Sequence, residues 1–180
     1  MAARLHLFGR CGILMSAMTI LGIDTSLRST GYGVLNLQGS RLSMADCGNI
    51  RNAPKLPLTA CLRAIHAKVG ELIETYHPDV MAIESVIYGK NAGTMLVLGE
   101  ARGAVLTAAA DADLPVYEYE PRRMKKAVCG NGLAEKEQIQ RMVKTLLGLP
   151  ELPQNDAADA LGLAICHAHS HSLLAMDKPI

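Results

Sequence analysis

Residues 19–50, TILGIDTSLRSTGYGVLNLQGSRLSMADCGNI, decide the fold. The apolar run that ends at Asp24 reads as a buried strand, Thr19 to Asp24. Gly31 to Leu37 reads as a second strand, and the Gly39-Ser40 turn sends the chain into a third, Arg41 to Ile50. Three strands on short polar connections make an antiparallel meander. The rhythm then changes. From Leu56 to Tyr76, apolar residues recur at helical spacing (Leu58, Leu62, Ile65, Val69, Leu72, Ile73), and His77-Pro78 closes this helix before a strand from Asp79 to Glu84. A second helix, Ala92 to Ala112, leads to the short strand Pro115 to Tyr119. Three more helices follow: Pro121 to Val128, Ala134 to Leu147, and Asn155 to about Leu174. A meander followed by alternating helix and strand predicts an α/β fold, a mixed five-stranded sheet flanked by helices, with right-handed crossovers.

Composition agrees with one core. The chain has 180 residues, 49% of them hydrophobic, which excludes a disordered or fibrous class. With one Phe, five Tyr and no Trp, base stacking is a poor main mode of binding. Cys11, Cys47, Cys61, Cys129 and Cys166 are scattered and form no CxxC pair, which suggests neither a disulfide framework nor a zinc ribbon and suits a reducing, cytoplasmic setting. No stretch is apolar and long enough to span a bilayer, so no membrane partner is expected. Residues 1–18 carry Arg4 and Arg10 and no acid. Arg10 interrupts any signal-like core, and Met15 or Met18 offers an alternative start. The domain is expected over residues 19–175, with a short tail at 176–180.

Four carboxylates stand out. Asp24 and Glu84 each end an apolar strand, and in such sheets the carboxyl ends of strands gather along one edge, where ligands bind. Alternation places Ile20, Gly22 and Asp24 on one face, and Val80, Ala82 and Glu84 on one face of their own strand, leaving room above small residues. Gly31 and Gly33 would let backbone come close to a phosphate. Asp24 alone has a second reading as the start of an Asx turn, whereas Glu84 is costly to bury unless paired or bound to a metal. In NDAADALGLAICHAH, Asp156 and Asp159 share a helix face near its start, where Asn155 or Asp156 would cap; acids there also complement the helix dipole. Clustered, the four acids would repel unless cations held them. Hard oxygen ligands point to Mg2+ or Mn2+, and so to a nuclease.

The net charge of +1 conceals a basic segment: Arg122, Arg123, Lys125, Lys126, Lys136, Arg141 and Lys144 stand against only Glu135 and Glu137. It reads as a phosphate-neutralising surface or as an ordinary solvated helix face. His167, His169 and His171 read as a solvated helix end, or, for the i, i+4 pair His167 and His171, as a metal-binding pair, with no HExxH pattern to suggest zinc hydrolysis.

Four segments in the right order and spacing, ILGIDTSLRSTGYGVL, AIESVIYGKNAGTMLVLGEARG, PVYEYEPRRMKKAVCGNGLAEKEQIQRMV and DAADALGLAICH, resemble the RuvC Holliday-junction resolvases of the ribonuclease H-like superfamily. The resemblance implies a ribonuclease H-like fold and a homodimeric, structure-specific endonuclease of recombination and repair. Such an enzyme resolves four-way junction DNA by paired symmetric nicks that leave 5′ phosphates, uses two Mg2+ per subunit with Mn2+ able to substitute, and works with RuvA and RuvB. The resemblance makes Asp24, Glu84, Asp156 and Asp159 the catalytic metal-binding acids, Asp156 standing where some members carry histidine. Lys136 becomes a catalytic residue that stabilises charge at the scissile phosphate, and Lys125, Arg122, Arg123 and Arg102 become DNA contacts, Arg102 having a helix-face reading as well. Ile87 stands where members present an aromatic that stacks at the crossover, so Ile87 or the neighbouring Tyr88 is expected to open the junction. Thr25-Ser26 replace a common Pro-Gly, which predicts a less rigid turn after Asp24. The helix Ala92 to Ala112, with Gly99, Ala101 and Gly103, is the candidate dimer surface. Three other readings are a smaller RNA-maturation nuclease, which would need Lys125 and Lys136 less; an actin-like ATPase, for which the chain has length for only one of two lobes; and a junction binder without chemistry.

Overall fold

The computed structural model describes residues 17–86, 91–173 and 178–180. Strands β1 (Ala17–Asp24), β2 (Ser29–Gln38) and β3 (Arg41–Arg51) form the meander. Helix α1 (Leu58–Tyr76), strand β4 (Val80–Glu84), helix α2 (Ala92–Ala110) and strand β5 (Val116–Tyr119) alternate after it, and α3 (Pro121–Cys129), α4 (Lys136–Leu147) and α5 (Asn155–Leu173) complete the described fold. The sheet order is β3-β2-β1-β4-β5. β1 and β3 run antiparallel to β2, and β4 runs parallel to β1 and β5, so the mixed sheet expected from the sequence is present. Ala45 forms a bulge in β3 between the pairs Val34–Asp46 and Leu35–Met44.

Several boundaries shift for local reasons. α1 starts at Leu58 because Pro57 takes the N-cap. α4 starts at Lys136 because Glu135 caps it in a capping box with Gln138, while Ala134 is buried ahead of it. α2 stops at Ala110; the chain then turns through Asp113 at φ 51°, and the Leu114 N–H bonds back to the Ala109 carbonyl. α3 opens on Pro121 and ends at Gly130 in the left-handed region.

Two apolar layers sandwich the sheet. Leu21, Ile23, Val34, Met81 and Ile83 pack toward α1 and α2. On the other face Ile20, Leu35, Val80 and Ala82 pack with α3, α4 and α5. Leu161, Leu163 and Ile165 of α5 are fully buried, each contributing about 1.5–3 kcal/mol. α5 lies hard against β1 and β2 because glycines leave room for it. A Cβ on Gly22 would come 2.0 Å from the Ala160 carbonyl oxygen, one on Gly31 2.0 Å from that of Asp156, and one on Gly33 2.6 Å from Leu161 Cδ2. The space above Gly31 and Gly33, expected from the sequence to admit a phosphate, is therefore filled by α5.

His167 departs from the solvated reading too: it is 2% exposed, lies against Tyr117 and Tyr119, and its Nδ1 pairs with the Tyr119 hydroxyl at 2.7 Å. His169 is exposed as expected, and the His171 side chain lies outside the described residues. Among the described residues no helix is long and apolar enough to cross a membrane.

Candidate active site

Strand register brings the acids together. Ile23 of β1 lies opposite Ile83 of β4, so Asp24 and Glu84 are the next residues on adjacent parallel strands. On the other side Asp24 pairs with Gly31, and Gly31 with Asn49 of β3, while Glu84 pairs with Tyr119 of β5. A single row thus crosses the sheet: Asn49, Gly31, Asp24, Glu84, Tyr119. Pleating turns this row toward α5, whose first turn rests on Gly31 and carries Asp156, with Asp159 one turn further on.

Their charges feel one another. Burial pushes the Asp24 carboxyl up from 3.8 to about 8, helped by Asp159, Glu84 and Asp156 and opposed by Lys136. Burial and then Asp159 raise Glu84, against the pull of Lys125 and Lys136. Asp159 is raised by burial, with Lys136 opposing, Asp156 adding to the rise and Lys125 opposing it. Three carboxylates held above their usual range by low dielectric and one another's charge form a site that a divalent cation would relieve. The donors are oxygens only, which suits a hard ion. Among the described residues, however, no group of three such side chains is drawn tightly enough together to hold an ion as it stands. By its donor chemistry and its repulsion the site fits a divalent metal.

Lys136 is the first residue of α4 and Lys125 lies in α3, and both act electrostatically on Glu84 and Asp159. Both lysines thus lie close enough to feel the acids' charge. Arg122 is exposed. Arg123 stacks 4.9 Å over the Tyr119 ring and donates to Ser170 Oγ at 2.9 Å, which leans it onto α5. Arg102 departs from a surface DNA contact. It is 9% exposed, its Nη1 donates to the Glu84 carbonyl at 2.7 Å, and its Nη2 pairs with Glu118 Oε1. From α2 it clamps the ends of β4 and β5 beside Glu84. Ile87 and Tyr88 lie outside the described residues.

The turn after Asp24, where Thr25-Ser26 stand, is held by hydrogen bonds. Buried Thr30 accepts from the Ser26 N–H at 3.2 Å and donates to the Ser26 carbonyl, and Ser26 Oγ accepts from the Ser29 N–H at 3.3 Å. Arg28 Nη1 ties the same turn to the Ala53 and Leu56 carbonyls at 2.7 and 3.1 Å. Asp156 does not cap its helix, and neither does Asn155: α5 begins at Asn155, and the Ala158 N–H bonds to the Gln154 carbonyl at 2.8 Å. The Asp156 carboxylate instead accepts from Ser29 Oγ and from Asn49 Nδ2, the latter at 2.8 Å. Ser29 and Asn49 went unmarked in the sequence because only the register of β2 and β3, bulge included, shows that they meet an acid more than a hundred residues away.

Residues 20–167 match the family described as Crossover junction endodeoxyribonuclease RuvC. The chain belongs to the RuvC family. It is 47% identical over 163 residues to the RuvC of Citrifermentans bemidjiense, a match spanning 91% of this chain and 99% of that one. To the RuvC of Aliivibrio salmonicida it is 52% identical over 155 residues, 86% of this chain and 89% of the relative. The solved structure of T. thermophilus RuvC in complex with a Holliday junction substrate superposes with a TM-score of 0.84 at 33% identity, covering 91% of this chain and 99% of that one. The yeast mitochondrial resolvase Ydc2, at 10% identity and a TM-score of 0.60, shares the fold. The ribonuclease H-like α/β architecture follows from these likenesses, and the acid row lies inside the matched span.

Proposed function

We propose that this protein resolves four-way DNA junctions, acting as a crossover junction endodeoxyribonuclease in recombination and repair, with the row of Asp24 and Glu84 closed by Asp156 and Asp159 as its catalytic centre. The observation that carries this reading is the register: acids sixty residues apart in sequence stand side by side, facing a helix that supplies two more. Asp24, Glu84, Asp156 and Asp159 would hold two Mg2+ ions, or Mn2+ in their place, which would supply Lewis acidity for activating a water and for stabilising the departing 3′ oxygen. The chain's own residues do the rest. The four carboxylates hold their positions on the sheet and α5, Lys136 meets the charge that develops on the scissile phosphate, and Lys125 with Arg122 and Arg123 takes neighbouring phosphates. Arg102 positions Glu84 through its backbone. The assignment of Ile87 or Tyr88 as the group that opens the junction rests on sequence.

The working unit in this reading is a homodimer whose two-fold axis matches that of the junction, so each subunit makes one of two symmetric cuts. Its domain spans residues 19–175, its setting is the cytoplasm, and RuvA and RuvB are its branch-migration partners. A synthetic immobile junction, incubated with and without Mg2+ and mapped on all four arms, tests this. Paired nicks at symmetric positions are expected only with the metal; metal-independent breaks, or cleavage of structured RNA in preference to the junction, would overturn it.

A further inference from the structure

Asp156 is gripped from the meander side. Ser29 Oγ donates to its Oδ2, Asn49 Nδ2 donates to the same oxygen at 2.8 Å, and Asn49 Nδ2 also reaches Ser29 Oγ at 2.9 Å. Asn49 lies in the same row as Asp24, separated only by Gly31, and Ser29 is two residues from Gly31 on the same face. Because Gly31 has no side chain, the first turn of α5 settles between Asp24 and Asn49. Both donors thus approach Asp156 from the side away from Glu84.

The amide's orientation is informative. Asn49 gives its NH2 to Ser29 and Asp156 and leaves its own Oδ1 buried with no hydrogen-bond partner among the described residues. A buried, unmet acceptor is costly, and an asparagine kept only for packing would not hold that posture. Turning the amide over would aim its oxygen at a carboxylate, so the donors are locked onto Asp156. No described residue bonds the other oxygen, Oδ1 of Asp156.

We infer that Ser29 and Asn49 are positioning residues that fix one oxygen of Asp156, leaving the other to face the acid row, and thereby set how tightly this site takes a divalent cation. The inference rests on the reading of the acids as metal ligands. It is tested by titrating the full-length protein, without DNA, with Mn2+ alone and following free Mn2+ by electron paramagnetic resonance. Asn49→Ala and Ser29→Ala are each expected to weaken Mn2+ binding roughly 10-fold or more, the usual effect of removing a group that orients a metal ligand. Ser29→Thr, which keeps the hydroxyl, should restore most of the affinity. The Mg2+ concentration for half-maximal nicking should rise by a similar factor, while junction binding in chelator stays at the wild-type level. Should Asn49→Ala fold poorly, Ser29→Ala carries the comparison. Unchanged Mn2+ affinity in a folded alanine variant would overturn the inference and leave the metal reading intact. Failure of the wild type to bind Mn2+ would sink the metal reading itself, and this inference with it.

Discussion

Asp24 carries a heavy electrostatic burden: half-buried beside three other acids, its carboxyl is pushed up to about 8. Its effect on stability has a definite sign. The unfolded chain loses this proton near pH 3.8 and the folded protein near pH 8, so the contribution is complete below the lower value and is lost as pH rises through the upper one. In chelator, the melting temperature should therefore fall between about pH 4 and pH 8 on account of this group, and Asp24→Asn should flatten that slope. At pH 8 without metal, Asp24→Asn should melt higher than wild type, by about 2–4 °C per kcal/mol of repulsion relieved, while nicking no junction. Scanning calorimetry beside a cleavage assay checks both; a variant that melts lower, or that still turns over, contradicts the assignment. Asp24 and Glu84 were legible in sequence because each ends an apolar run. His167 was not, because an exposed-looking HAHSH gives no sign that Tyr117 and Tyr119 will close over its first histidine.

Helix α5 and the strands beneath it behave as one piece, since the glycines that admit the helix also set the height of Asp156 and Asp159 above the sheet. Gly22→Ala would drive a methyl into the Ala160 carbonyl, where backbone cannot yield cheaply. A loss of about 1–3 kcal/mol or more in denaturant unfolding is expected, with nicking reduced in the protein that remains folded. Arg102 plays a comparable part from the opposite face. Arg102→Ala should lower kcat on junctions with little change in KM, and Arg102→Lys should recover only part, because a lysine cannot reach both the Glu84 carbonyl and Glu118 in one planar fork. Weakened junction binding with normal turnover would instead return Arg102 to the DNA surface. The order of elements could be read from hydrophobic period alone. What each glycine was for could not, because that space is defined by a helix more than a hundred residues away.

At the level of the whole molecule, α2 presents an uncovered apolar surface. Leu96 is 65% exposed, and open space lies over Gly99 and Gly103. These residues lie on the helix that also carries Arg102, so the surface proposed for dimerisation and the clamp under Glu84 share one element. Leu96→Glu is expected to give a monomer in sedimentation, with a melting temperature close to that of wild type after correction for subunit concentration, and junction products nicked on one strand rather than on a symmetric pair. A variant that remains dimeric would move the subunit contact elsewhere. The small residues of this helix were visible in the sequence, but not which of them faced outward, since its apolar character runs nearly all the way round.

On the proposed reading, the acid row also sets the point in synthesis at which the protein would become able to cut. Asp24 emerges early from the ribosome, but Asp156 and Asp159 arrive only with the last helix, which also seals the sheet. A chain cut short anywhere before that helix lacks both the seal and half of its charged cluster. If the four acids form the cutting centre as proposed, a chain truncated before this helix would lack two of them and should not nick a junction.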